Sequence, residues 1–137
     1  GAMNYLCSRS SKKVIYDINL PKEEEIILPI NQCLLEWVLE NLSKNAIDAM
    51  GGIGTLSLEM SQDNKRVIID ISDTGKGMQK KEFKKIFEAG YTTKERGWGM
   101  GLSLAKRIIE EYHHGKIFVK QSVIGKGTTF RIMLKKL

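Results

Sequence analysis

The sequence predicts an α/β domain organised around one long helix, and three observations point that way. Leu34 to Met50 reads LLEWVLENLSKNAIDAM, with Leu35, Val38, Leu39, Leu42, Ala46 and Ala49 at helical spacing on one apolar face. β-rich runs come in adjacent pairs separated by turn residues, the pattern of hairpins. Two glycine-rich stretches sit at element junctions: Asp73-Thr74-Gly75-Lys76-Gly77 follows a strand, and Gly97-Trp98-Gly99-Met100-Gly101 precedes a helix. The 137 residues suit one domain with its own core.

In chain order, Gly1-Ala2-Met3 reads as the remnant of an expression tag. Residues 1–11 carry no periodic pattern and read as tag remnant and linker, so the domain is expected over 12–137. Val14 to Ile18 reads as a strand ended by Pro21. Lys22 to Glu25 is a solvated charge run, and Glu25 to Leu28 suggests a short second strand. Pro29 and Asn31 open the long helix, which stops at Gly51-Gly52. Gly54–Met60 and Val67–Ser72 flank the turn residues Gln62-Asp63-Asn64 and read as a hairpin.

Gln79 to Phe87 is short and amphipathic, with Phe83, Ile86 and Phe87 at helical spacing; its aromatics read most simply as core. From Glu88 to Met100 no periodicity survives, and a structureless loop of this length inside a domain is usually functional or disordered. A helix is expected from Leu102 to Tyr112, closed by His113, His114 and a capping Gly115. Both histidines read as structural or surface residues. Lys116–Val123 and Thr128–Leu134, joined by Gly125-Lys126-Gly127, form a closing hairpin.

Composition excludes several classes. Hydrophobic residues make up 42% and charged residues 28%, ordinary for a globular domain. No apolar run reaches membrane-spanning length and no signal peptide is visible. Twenty-two Lys and Arg against 16 acids give a net charge of +6. That balance suits a polyanionic nucleotide as well as nucleic acid, and the aromatic-basic interleaving of nucleic-acid binders is missing. Cys7 and Cys33 form no metal or redox motif and read as reduced thiols.

Three features carry chemistry. Asn41 and Asn45 lie one turn apart at the edge of the apolar helix face. Asparagine is a poor helix-interior residue, so either neighbouring backbone satisfies both amides or they project oxygens towards a hard cation such as Mg²⁺. A strand ending in D-x-G-x-G delivers a carboxylate at its tip, and the glycines let a flat ligand approach; alone, the pattern also fits a simple turn. Glycines before a helix supply free N–H groups for an anion, with Lys94 and Arg96 nearby in sequence. No P-loop or Rossmann fingerprint is present, and Asp73-Thr74-Gly75 lacks the partner motifs of eukaryotic-type protein kinases.

Together, ENLSKNAIDA, DTGKGM, FKKIFEAGYTTK and GWGMGLSLAKRI, in that order and closed by GKGTTF, resemble the N, G1, F and G2 boxes of the bacterial sensor histidine kinase catalytic domain. That domain shares a superfamily with gyrase B, MutL and the heat-shock chaperone ATPases. The resemblance runs from about Val14 to the C-terminus. It implies a Bergerat-type two-layer α/β sandwich: a mixed, mainly antiparallel sheet of about five strands packed under three helices. It implies ATP and Mg²⁺ as cofactors, with ATP held between the long helix, the glycine turns and a mobile lid.

Carried over residue by residue, Asn45 matches the Mg²⁺ ligand and Asn41 the N-box residue one turn earlier, together the catalytic pair. Asp73 matches the adenine-reading aspartate, flanked by Gly75, Gly77 and Met78. Phe87 matches the F box, and Gly99, Met100, Gly101 and Leu102 the phosphate side, with methionine at 100 where leucine is usual. Lys44, Asp48, Thr92, Thr93, Lys94, Arg96 and Thr128 complete the expected nucleotide contacts. In the gyrase-like branch a glutamate activates water at the position of Asn41, and asparagine cannot act as a general base. Glu40 lies roughly 100° around the helix.

The resemblance therefore implies a kinase that donates the γ-phosphoryl group to a histidine on a separate dimerisation domain, with a response regulator downstream and a homodimeric parent. It implies neither nucleic-acid binding nor direct membrane contact by this domain. The expected location is cytoplasmic, with a parent anchored in the inner membrane left open. An anti-sigma-factor-type serine kinase and a nucleotide-sensing domain without transfer are the alternative readings.

Overall fold

A computed structural model describes residues 14–19, 32–88 and 101–135. The expected strand at 25–28, the loop from 89 to 100 and Cys7 lie outside the described residues. The elements follow the order β1 (Val14–Asn19), α1 (Gln32–Ala49), β2 (Gly54–Gln62), β3 (Arg66–Asp73), α2 (Gly101–Arg107), β4 (Lys116–Val123) and β5 (Gly127–Lys135). The sheet order is β1-β2-β3-β5-β4. β1 runs parallel to β2, and every other pairing is antiparallel. The five-stranded mixed sheet is thus as expected, and α1 lies over β2 and β3.

Strand alternation builds the core. Leu56 and Leu58 of β2, Val67, Ile69 and Ile71 of β3, and Phe130, Ile132 and Leu134 of β5 are buried on the helix-facing side. They meet Val38, Leu42 and Ala46, which recur every four residues along α1. Each fully buried aliphatic side chain contributes about 1.5–3 kcal/mol of transfer free energy. The opposite face of the sheet mixes the apolar Ile68, Phe118 and Met133 with polar and charged residues. Asp70 of β3 holds Arg131 of β5 in a bidentate pair at 2.8 Å for each bond, with the Lys120 amine 3.7 Å away. The Arg131 hydrogen bonds hold the Asp70 carboxyl below its usual value against the opposing effect of burial.

Two helix expectations need correction. Gln79–Phe87 is not one helix but two single 3₁₀ turns, Lys80–Glu82 and Lys85–Phe87. Glu82 closes the first turn by accepting a bond from the Gln79 N–H, and Phe83 follows as an intervening turn residue. A segment this short closes too few i→i+4 bonds to repay α-helix nucleation. The last helix is α-helical only over Gly101–Arg107 and continues as a π-helical turn, Ile108–Tyr112.

Its termination also differs from expectation. Gly115 is not the left-handed residue: His114 is, at φ 54°. The Gly115 N–H bonds the Ile109 carbonyl at 2.9 Å, and a Cβ on Gly115 would collide with the Met133 carbonyl. The buried His113 ring lies with Nδ1 2.8 Å from the Ile108 carbonyl, which can only accept, so Nδ1 carries the hydrogen. Holding an exposed L-residue in the left-handed region is unfavourable, although histidine tolerates it better than most. His114→Gly should therefore raise stability by about 0.5–1 kcal/mol, net of glycine's larger unfolded-state entropy. Urea melts of the two proteins measure this, and a loss of stability would contradict it.

Candidate functional site

The site gathers where the C-terminal end of β3 meets the C-terminal part of α1. Helix α1 ends in Gly51 and Gly52, both with positive φ, and their N–H groups return to the Asp48 and Ile47 carbonyls. This leaves the Ala49 carbonyl to accept from the Lys76 N–H at 3.0 Å, which pins the turn after β3 onto the helix end. Gly75 is required by that approach, because a Cβ there would strike the Ala49 carbonyl. Gly77 adopts φ 70° with its α-carbon against the Val123 carbonyl. The Gly125 N–H then bonds the Lys76 carbonyl at 2.8 Å, so the turn is held from both sides.

Asp73 ends β3 on the helix-facing side and is buried. Its Oδ1 accepts two backbone N–H bonds, from Gly75 at 2.8 Å and from Thr128 at 3.3 Å. No bond from the described residues reaches Oδ2. Burial pushes the carboxyl above its ordinary value, and the two N–H bonds pull it partly back. An ionised Asp73 therefore offers an acceptor-only oxygen from a largely dry site.

The row continues across the sheet. Thr128 of β5 and Ser122 of β4 face each other, and both lie on the same side as Asp73. The Ser122 hydroxyl is 2.7 Å from the Thr128 hydroxyl and 3.1 Å from the Gly127 carbonyl, and it accepts the Met78 N–H at 2.8 Å. Sequence reasoning included Thr128 but missed Ser122. Strand alternation from Ile117 and Val119 would turn Gln121 inward. A bulge between Val119 and Gln121 shifts the phase and turns Ser122 inward instead. A serine followed by a glycine turn was the signal present, and it did not disclose the bulge.

On α1, Asn41 and Asn45 are both half-buried, one turn apart as expected. The Asn41 amide donates one of its two N–H groups to the Gly101 carbonyl at 3.0 Å, which ties α1 to the first residue of α2. Lys44 and Asp48 are exposed on the same helix. Leu102 packs partly buried against the core. Phe87 stands apart from the turn: it is core, edge-on to Phe130 at 6.1 Å, with the Lys106 amine 5.6 Å from its ring centre. Thr92, Thr93, Lys94, Arg96, Gly99 and Met100 lie outside the described residues.

The donor set can be tested against a divalent ion. Among the described residues no three His, Cys, Asp or Glu side chains gather to hold one. A single asparagine oxygen can suit an ion such as Mg²⁺, which takes water and phosphate oxygens as most of its ligands. Asn45, half-buried on α1, is a side chain that could supply such an oxygen. The described helices include none long and apolar enough to cross a membrane.

Residues 31–137 match the family described as Histidine kinase-, DNA gyrase B-, and HSP90-like ATPase. The sensor histidine kinase ZraS of Salmonella typhimurium is 46% identical over 101 residues, which are 73% of this chain and 21% of that protein. Sporulation kinase E of Bacillus subtilis is 44% identical over 101 residues, 73% of this chain and 13% of that protein. The nucleotide-free catalytic domain of the histidine kinase ThkA has a TM-score of 0.81 at 25% identity, covering 98% of this chain and 86% of that one. The chain spans about a fifth or less of the two curated relatives named here.

Proposed function

Because the chain belongs to the histidine kinase-, DNA gyrase B- and HSP90-like ATPase family, we propose that it binds Mg-ATP and donates the γ-phosphoryl group to a histidine on a separate dimerisation domain of its parent protein. The observation that carries this reading is Asn41. Where the hydrolytic branch of the superfamily places a glutamate to activate water, this chain has an amide already bonded to the Gly101 carbonyl. An amide has no basic site for a water proton, so the chemistry left to the domain is delivery of phosphate to an acceptor. The two relatives matched above carry kinase names, which supports the same direction.

In this reading Asp73 accepts the exocyclic amino group of adenine through Oδ2. Gly75 and Gly77 let the base approach the turn, with Met78 and Thr128 beside it. Asn45 would hold Mg²⁺ through its amide oxygen, with Lys44 and Asp48 on the same helix. Thr92, Thr93, Lys94, Arg96, Gly99 and Met100 would serve the phosphate tail, leading into Gly101 and Leu102. The bound metal would neutralise phosphate charge during transfer. The chain's own contribution is to orient ATP and to withhold a water-activating base. Residues 12–137 form the nucleotide-binding half of the enzyme, the acceptor domain belongs to the rest of a homodimeric parent, and a response regulator receives the phosphate in turn.

Calorimetric titration of the domain with ATP tests the first step. Saturable one-to-one binding that strengthens when Mg²⁺ is present is expected. An absence of saturable binding with Mg²⁺ present would sink the reading.

A further inference from the structure

Three polar side chains interrupt the helix-facing side of the sheet in one row: Asp73 on β3, Thr128 on β5 and Ser122 on β4. Everything else buried on that face of these three strands is apolar. Asp73 has a role in the reading above and Thr128 touches it directly. Ser122 does not touch Asp73, yet its hydroxyl makes three contacts, more than an incidental surface serine needs.

The hydrogen-bond capacity of that hydroxyl is decisive. A serine hydroxyl has one hydrogen to give and two lone pairs to receive. The Gly127 carbonyl can only accept, so the Ser122 hydrogen goes there. The Met78 N–H can only donate, so it takes one lone pair. The 2.7 Å contact with Thr128 is then satisfied only if the Thr128 hydroxyl donates to the second lone pair. All three contacts are met at once by this assignment. It leaves the Thr128 oxygen with acceptor capacity alone, beside an aspartate that is also acceptor-only.

We propose that Ser122 is a positioning residue for nucleotide selection, which fixes the Thr128 hydroxyl as an acceptor and anchors the Met78 end of the Asp73 turn. This rests on the reading that Asp73 and Thr128 face the base. With the Thr128 proton committed to Ser122, the end of the row offers no hydroxyl hydrogen to a carbonyl on the base, so a 6-oxo purine finds no donor there. With Ser122 removed, the Thr128 hydroxyl rotates freely and can donate to that carbonyl. Selection against GTP then relaxes even though Asp73 is untouched.

Competition binding of ATP and GTP to wild type, Ser122→Ala and Ser122→Thr tests this. Ser122→Ala should weaken ATP binding about three- to tenfold and reduce the ATP:GTP affinity ratio by a similar factor. Ser122→Thr keeps the hydroxyl and should hold the ratio near that of wild type. A merely structural role would shift the melting temperature of Ser122→Ala and leave the ratio unchanged, and that result overturns the proposal. So does an equal loss of ratio in the threonine variant. Should Ser122→Ala not fold, Ser122→Cys keeps the size with a weak acceptor; it must also narrow the ratio, and an unchanged ratio overturns the proposal. Wild type and Asp73→Asn run alongside. If wild type shows no preference for ATP, the parent reading fails. If wild type and Asp73→Asn behave as expected and the Ser122 variants match wild type, only the present inference fails.

Discussion

Asn45→Ala is expected to lower Mg²⁺-dependent ATP affinity or phosphotransfer by on the order of 100-fold while leaving the fold intact. The size follows from the several kcal/mol of phosphate-charge stabilisation that a correctly held divalent ion supplies. Sparing of the fold follows from position. Asn45 is half-buried at the edge of the apolar face, whereas Leu42 and Ala46 beside it carry the packing. Alanine is also the better helix former, so α1 gains intrinsic propensity from the change. Calorimetry with and without Mg²⁺, together with phosphotransfer to an added acceptor domain, reads the effect. Unchanged Mg²⁺-dependent affinity together with normal transfer would remove Asn45 from the site.

Asp73→Asn should produce the second large effect, and in two opposite directions. Adenine carries an exocyclic amino donor where guanine carries a carbonyl, and an ionised Asp73 can only accept. Wild type should therefore prefer ATP by at least roughly tenfold, since a mismatched buried polar pair costs ~1–3 kcal/mol. The asparagine variant keeps the size, loses the charge-assisted bond and can turn a donor towards guanine. Its ATP affinity should fall roughly 10- to 100-fold and its discrimination should shrink. Equal binding of both nucleotides by wild type, or full selectivity in the variant, would reduce the D-x-G-x-G turn to a turn.

Stability without nucleotide should move the other way. Burial raises the Asp73 carboxyl above its ordinary value of 3.8 despite the Gly75 and Thr128 bonds. The folded state therefore holds this proton more tightly than the unfolded chain does. Wild type should lose stability relative to Asp73→Asn as pH rises from the ordinary carboxylate range through the raised folded value, with a constant difference above it. Paired urea melts across that range measure the sign. A wild type that gains on the variant as pH rises would contradict the account of Asp73 as a buried carboxylate that is costly to ionise.

Much of this arrangement was legible in the residues, for identifiable reasons. α1 was readable because its apolar face repeats over four turns and two glycines stop it. The strands were readable because β-rich, largely aliphatic runs are bounded by turn residues, as in VIIDIS, where Val67, Ile69 and Ile71 point inward and Ile68, Asp70 and Ser72 outward. Asp73 stood out only in company: D-x-G-x-G alone also fits a simple turn, and the order of the four boxes is what singled out its carboxylate.

The unreadable parts depend on long-range pairing. The β4 bulge exists only through its register with β5, and it decides that Ser122 and not Gln121 turns inward. The left-handed residue at the end of the last helix is His114 because Gly115 is needed against the Met133 carbonyl, a contact invisible from local spacing. The 3₁₀ turns at 80–87 carried helical periodicity without the length to sustain an α-helix. Asn41 was open to two readings, and the donor bond to Gly101 shows backbone satisfaction for one of its groups.

The central claim is that this domain prepares a phosphoryl group for a histidine it does not itself contain. Incubating it with ATP labelled at the γ-phosphate, alone and with the dimerisation domain of its parent, tests that claim most directly. The account predicts negligible label on the isolated domain and acid-labile label on the histidine of the added domain. Stable acid-labile phosphate on His113 or His114 of the domain alone would contradict it.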